Sequence, residues 1–265
     1  MTRAGWRTRA VVFAGCLVGI LAMAGPSQAD PLDEDTAVLW RNQASTSFDS
    51  PQHFALEVRV GQYPPNIDDE FGGTGPYKQV FGSKKRWMGG LEFDYQALRI
   101  PYVGTLGPGL SWGYTTMSAD TTISGTTEKS EEKTSLWIMP MSLAAVLRVD
   151  VLAEELRVPL VPTFKLGFAC ALWSTSNGSG TSRYETGDTS ILGRGTSYGW
   201  NLGLGLALRL DPIDRHAARQ LDNSVGINHS YLFVEWAHSK LDGFGSGDML
   251  RVGTSSWVAG LAFEF

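Results

Sequence analysis

The chain has 265 residues and a formal net charge of −5 at pH 7. An acidic balance excludes the basic footprint of a phosphate-backbone binder, so no nucleic-acid partner is expected. Its two cysteines, Cys16 and Cys170, fall in different parts of the chain. With Cys16 in a removable segment, they exclude an intramolecular disulfide.

The N-terminus "MTRAGWRTRA" carries Arg3, Arg7 and Arg9 and no acid, and an apolar stretch runs from Val11 to Gly25. Ser27 and Ala29 then stand at the spacing of a small-residue cleavage site. Basic start, apolar middle and small-residue end make a secretory signal peptide over residues 1–29, cleaved near Ala29. "FAGC" around Cys16 loosely resembles a lipoprotein site, but the apolar run continues past it. An uncleaved anchor is the other lesser alternative. Removing three arginines takes the formal charge to −8. No later apolar run is long enough for a membrane helix.

Residues 30–52 are polar and acidic and read as a disordered periplasmic tail. From residue 53 to residue 265 the dominant signal is alternation, which marks strands with two unlike faces. "HFALEVRVG" sets Phe54, Leu56, Val58 and Val60 against Glu57 and Arg59. "WMGGLEFDYQAL" sets Leu91, Phe93 and Tyr95 against Glu92, Asp94 and Gln96. "LGPGLSWGYTT" sets Leu106, Leu110, Trp112 and Tyr114 against glycines and Ser111. In "SLWIMPMSLAAVLRVD", Trp137, Met139, Met141, Leu143 and Leu147 oppose Ser142, Ala144 and Arg148. "LVPTFKLGFACALW" gives Phe164, Leu166, Phe168, Cys170 and Leu172 against Thr163, Lys165, Gly167 and Ala169. "WNLGLGLALRL" alternates Trp200 and five leucines with small residues and Arg209. "SYLFVEWAHS" opposes Leu232, Val234 and Trp236 to Tyr231, Phe233 and Glu235, and "WVAGLAFEF" closes the chain on an aromatic, Phe265.

The connections alternate in length. Those at 61–86, 117–134, 174–195 and 240–250 are polar and long, and those near 99–104 and 150–157 are short. The exception is "DPIDRHAARQLDNSVGIN" at 211–228. There Asp211 as N-cap, Pro212 as first residue and an apolar stripe of Ile213, Ala217 and Leu221 predict a short periplasmic helix over Pro212–Leu221. Eight strands with long loops at one end follow the plan of an outer-membrane barrel.

The faces agree with that plan. A narrow barrel has room inside only for small side chains and for charges that pair across the lumen. The inward set includes Glu57, Arg59, Glu92, Asp94, Arg148, Lys165, Arg209, Glu235 and Glu264. Trp87, Trp137, Trp173, Tyr198 and Trp257 are placed as interfacial girdles. The expected fold class is all-β: an eight-stranded antiparallel up-and-down transmembrane β-barrel with one short periplasmic helix. A secreted soluble sandwich or lipocalin-like barrel is the lesser alternative.

From about Ser50 onward the chain resembles the eight-stranded bacterial outer-membrane β-barrel proteins of the OmpA and OmpX type. More narrowly, "FGGTGPY", "RVPLVP" and "LDP…LD…GINHSYLF" resemble an outer-membrane barrel family with no settled activity. The resemblance implies the outer membrane of a Gram-negative bacterium and supplies no catalytic residue. It also implies recognition of the terminal Phe265 by the barrel assembly machinery. Outer-membrane lipid and lipopolysaccharide are the expected surroundings, and a monomer is the expected state.

For function, a structural or surface-interaction barrel with a side-chain-plugged lumen comes first. The enzymatic alternative is a lipid A deacylase-like barrel using His238 in "EWAHSKLDG" as a general base. Ser239 is adjacent to His238, however, so parity points the two to opposite faces, and Glu235 faces the lumen. A small pore is the third reading. Asp68, Asp69 and Glu70 in the first long loop lack the alternating oxygen ligands of a calcium loop. His53, His216 and His229 show no metal-ligand spacing. No residue is assigned a catalytic, cofactor-binding or metal role.

Overall fold

The computed structural model describes residues 53–71, 75–83, 86–122, 129–156, 158–177, 180–186, 189–212, 226–246 and 249–265. The expected signal segment, the tail over 30–52 and all but the first residue of the expected Pro212–Leu221 helix lie outside the described residues.

Alternating apolar and small residues form eight long strands: β1 (Phe54–Gln62), β2 (Trp87–Tyr95), β3 (Gly104–Thr122), β4 (Lys129–Arg148), β5 (Leu160–Asn177), β6 (Arg194–Arg209), β7 (His229–Lys240) and β8 (Thr254–Glu264). Each pairs antiparallel with its sequence neighbours. β1 also pairs with β8, so the sheet closes into a barrel. Closure satisfies the backbone groups that an open edge would leave bare.

The register fixes the tilt. From Ala55, paired residues lead through Asp94, Gly109, Ala144, Gly167, Asn201, Ser239 and Thr254. Continuing the β1–β8 register, in which Gly61 faces Val258, brings Thr254 level with Pro65, ten residues up β1. Ten residues rise about 33 Å against eight strand spacings totalling about 38 Å, so the strands lean about 40° from the axis.

Both faces follow the expected parity. On β6, outward Leu204 and Leu206 are 40% and 41% exposed, while inward Ala207 is buried. Outward Val58, Leu91, Leu110, Leu166, Leu232 and Leu261 are likewise exposed. Among the described residues no second layer covers this surface, and hydrocarbon is the medium that suits it. Aromatic rings gather toward both ends of the outward face. At the end carrying Phe265, Phe54 lies against Phe93, Tyr95 and Phe265, with ring centroids 5.3–6.4 Å apart. At the other end Trp87 and Trp257 stand exposed.

Two expectations need correction. Trp173 does not join the outer girdle: its indole N–H donates to Ser197 Oγ at 3.2 Å and its ring packs on the inner apolar cluster. β5 keeps its parity to that point, so an odd-numbered residue faces inward. The segments 117–134 and 174–195 are not wholly loops, because β3 and β4 run well into the first and β5 extends to Asn177 in the second. The alternation inverts in the first, with Met117, Ala119 and Leu136 turned to the inner apolar cluster and Ser118 and Ser135 outward, while the backbone ladder continues. The carboxylate of Asp211, the expected N-cap, accepts from Ser230 N–H at 3.2 Å and meets His229 Nδ1 at 2.5 Å, and the residues it would cap lie outside the described ones.

Smaller elements dress the ends. A 3₁₀ turn (Asn66–Phe71) and helix α1 (Pro76–Phe81) fold the β1–β2 connection, and α2 (Val151–Glu154) caps the β4–β5 turn. The β1–β2 connection enters the barrel mouth. Tyr63, Ile67 and Phe81 share one buried apolar cluster with Met117, Leu136, Ile138, Ala171, Leu241 and Val252.

Candidate functional site: a buried ion-pair belt

All nine charges expected inside do face inward. The alternation places Glu57 and Arg59 on β1, Glu92 and Asp94 on β2, Arg148 on β4, Lys165 on β5, Arg209 on β6, Glu235 on β7 and Glu264 on β8. Glu57 lies directly opposite Glu92 in the register. That like-charged pair is destabilising alone. Lys165 resolves it from across the lumen: its Nζ is 2.8 Å from Glu57, 2.6 Å from Glu92 and 2.9 Å from Glu235. The Arg59 guanidinium bridges Glu92 and Glu235 and lies 5.9 Å from the centroid of the Phe233 ring. Arg148 donates to Glu57 and Asp94, each at 2.7 Å.

These side chains are almost wholly buried, so their pairing is undiluted by solvent. Glycine makes the room. A Cβ at Gly109 would lie 2.3 Å from Asp94 Oδ1, and one at Gly203 would press on Glu235 at 3.1 Å. Toward the terminal end the network continues: the Tyr231 hydroxyl donates to Glu264 at 2.7 Å, Gln96 donates to the same carboxylate at 2.9 Å, and Arg209 donates to the Tyr231 oxygen at 3.3 Å.

The chemistry of this belt is electrostatic. Oxygens of Glu57, Glu92 and Asp94 lie within 4.8 Å of one another, a spacing that a metal ion accepts. The same carboxylates are already taken by Arg59, Arg148 and Lys165, and three fixed cations in this space repel a divalent ion.

The other candidates do not converge. His238 faces outward between Trp200 and Trp236, with ring centroids 5.2 and 5.6 Å away. Ser239 faces inward, and its Oγ accepts from Thr254 N–H at 3.1 Å. Glu235 belongs to the belt. His238 therefore points away from both Ser239 and Glu235, and no hydrolase-like arrangement forms among the three. His229 is held by Asp211, His53 contributes backbone bonds beside Phe265, and His216 lies outside the described residues. Asp68 plays a structural part. Its two carboxylate oxygens accept from Tyr77 N–H and Lys78 N–H at 2.9 and 3.0 Å, anchoring the first turn of α1. A Cβ at Gly75 would come within 2.1 Å of that carboxylate, which explains the glycine.

Sequence reasoning missed the apolar cluster at the mouth. Tyr63 is its keystone: burial pushes the phenol pKa upward, and the hydroxyl donates to the Val252 carbonyl at 2.6 Å. The signal available was three bulky apolar residues, Tyr63, Ile67 and Phe81, in a connection otherwise read as polar.

No protein-family model matches the chain, the narrower resemblance included, and no curated protein sequence matches it. Among solved structures it is similar to the outer membrane protein OprG of Pseudomonas aeruginosa, at 12% identity and a TM-score of 0.44, covering 82% of this chain and 97% of that one. It is similar to Ail, the attachment invasion locus protein of Yersinia pestis, at 12% identity and a TM-score of 0.42, covering 81% and 97%. It is also similar to the N-terminal β-barrel domain of Pseudomonas aeruginosa OprF, at 12% identity and a TM-score of 0.37, covering 81% and 100%.

Proposed function

We propose that the chain is an integral outer-membrane barrel with a structural or surface-interaction role and a lumen plugged by its own side chains. The observation that carries this reading is the Arg59–Lys165–Arg148 belt, in which three cations are locked to four buried carboxylates across the barrel. An ion crossing it would have to break several charge-assisted bonds with nothing supplied in return. The apolar cluster built on Tyr63, Ile67 and Phe81 adds a second barrier nearer the long-loop end. Location follows from the uncovered apolar outward face, together with the signal peptide and its cleavage near Ala29. Phe265, paired by backbone bonds to Phe54, is the segment offered to the assembly machinery. Surrounding lipid and lipopolysaccharide are its partners, and the barrel acts as a monomer.

Planar-bilayer recording of the purified protein tests the closed lumen. The expected trace is flat. Steady, ion-selective conductance would overturn the structural reading in favour of a pore.

A further inference from the structure

One sector of the outward face is built differently from the rest. At the long-loop end of β5, β6 and β7, six rings form two touching groups. Phe168, Tyr198 and Phe244 have mutual centroid distances of 6.0–6.4 Å, and Trp200, His238 and Trp236 adjoin them in the next strand pair.

Phe244 is the telling member. It lies in the β7–β8 turn, is 63% exposed, and has a φ of 57° between Gly243 and Gly245 at 66° and 91°. Three successive left-handed residues are easy for glycine and strained for phenylalanine. A glycine or asparagine would make the same turn without strain; what phenylalanine adds here is an exposed ring. The turn is fixed by Gly243 N–H donating to the Tyr198 carbonyl at 2.8 Å, which lays Phe244 over the barrel wall.

A cation stands directly above. Lys240 pairs with Trp200 in the register and shares the outward face with His238, two residues down the strand. That spacing is about 7 Å, within the span of one phosphate and its hydrogen bonds. The Lys240 side chain is 57% exposed, and Asp242 at 3.3 Å engages the ammonium on one side. An ammonium has three donors, so others remain for an anion, and the imidazole adds a ring N–H.

We propose that this sector binds the phosphorylated headgroup of a membrane lipid, with Lys240 and His238 on the phosphate and the rings under the attached sugar or chains. The proposal rests on the reading that the outward face meets lipid. A free phosphate is the poorer ligand, because an exposed lysine holds it against water without using the rings. An amphiphile uses both.

Native mass spectrometry of the folded protein in detergent tests this. The probes are an acylated, bisphosphorylated glucosamine disaccharide, its dephosphorylated form, phosphatidylethanolamine and inorganic phosphate. The bisphosphorylated lipid is expected to stay bound and the others to leave. Lys240→Gln alone is expected to lower the bound fraction about fivefold. The pair Lys240→Gln with His238→Ala lowers it further, and Phe244→Gly lowers it with both cations intact. Equal retention by the variants, equal retention of the dephosphorylated lipid, or displacement by inorganic phosphate would overturn the site. A heat-modifiable gel band is checked first. Its absence in the unmodified protein would overturn the barrel reading beneath the site, whereas its presence with equal retention overturns the site alone.

Discussion

Replacing Lys165 by methionine keeps the length of the stem and removes the ammonium. Three carboxylates, those of Glu57, Glu92 and Glu235, lose contacts of 2.6–2.9 Å. Stranding a buried charge by deleting its partner costs about 3–5 kcal/mol. Proton uptake sets a ceiling, since neutralising one ordinary carboxylate at pH 7.5 takes about 4 kcal/mol. The expected loss is therefore about 3–4 kcal/mol. Urea unfolding of vesicle-folded protein, followed by tryptophan fluorescence, measures it. With a slope of about 1–3 kcal/mol per molar urea, the midpoint should fall by at least about 1 M. Adding Glu92→Gln restores the charge balance of the belt and should recover at least half of the loss. A midpoint for Lys165→Met within about 0.3 M of the parent would refute the claim that the belt holds buried, mutually dependent charges.

Asp68→Ala removes both acceptors at the first turn of α1, and the amides of Tyr77 and Lys78 should exchange about tenfold faster; unchanged exchange would show that the helix does not depend on this carboxylate. Deleting Phe265 takes three backbone hydrogen bonds from the β1–β8 seam and should lower stability by about 2–3 kcal/mol in the same urea assay, which an unshifted midpoint would contradict. Burial, with Glu154 nearby, pushes the Asp150 pKa up to about 6 against the pull of Arg99. A raised carboxyl pKa burdens the fold at high pH: the burden is full above about pH 6 and absent below the ordinary value of 3.8. Asp150→Asn should thus stabilise the barrel by about 1 kcal/mol at pH 7.5, allowing for partial solvent contact, and leave it unchanged at pH 3.5; equal effects at both pH values would count against it.

Much of the barrel was legible because a strand period of two leaves little choice. Once Leu204 and Leu206 face out, Arg209 must face in, and the same logic placed Lys165 and Glu235. What parity does not give is the partner. That Lys165 meets carboxylates from three different strands depends on the ten-residue stagger of the closed sheet, which only long-range pairing defines. The mouth was illegible for a different reason. Tyr63, Ile67 and Phe81 have no common period, so their shared burial appears only when the connection folds back into the barrel. The outer parts of β3 and β4 were hidden because the alternation inverts there, Met117, Ala119 and Leu136 facing in and polar residues facing out, while hydrogen bonding persists. His238 was placed correctly on the outward face. Trp236 shares that face by parity, but the contact with Trp200 was not foreseen, because Trp200 comes from another strand.

The central claim is that the outward apolar face meets lipid, and membrane fractionation combined with a heat-modifiability gel tests it most directly. The protein should be found in the outer-membrane fraction, running as a compact band unheated and as a slower band after boiling. A soluble periplasmic product with a single unheated mobility would contradict it.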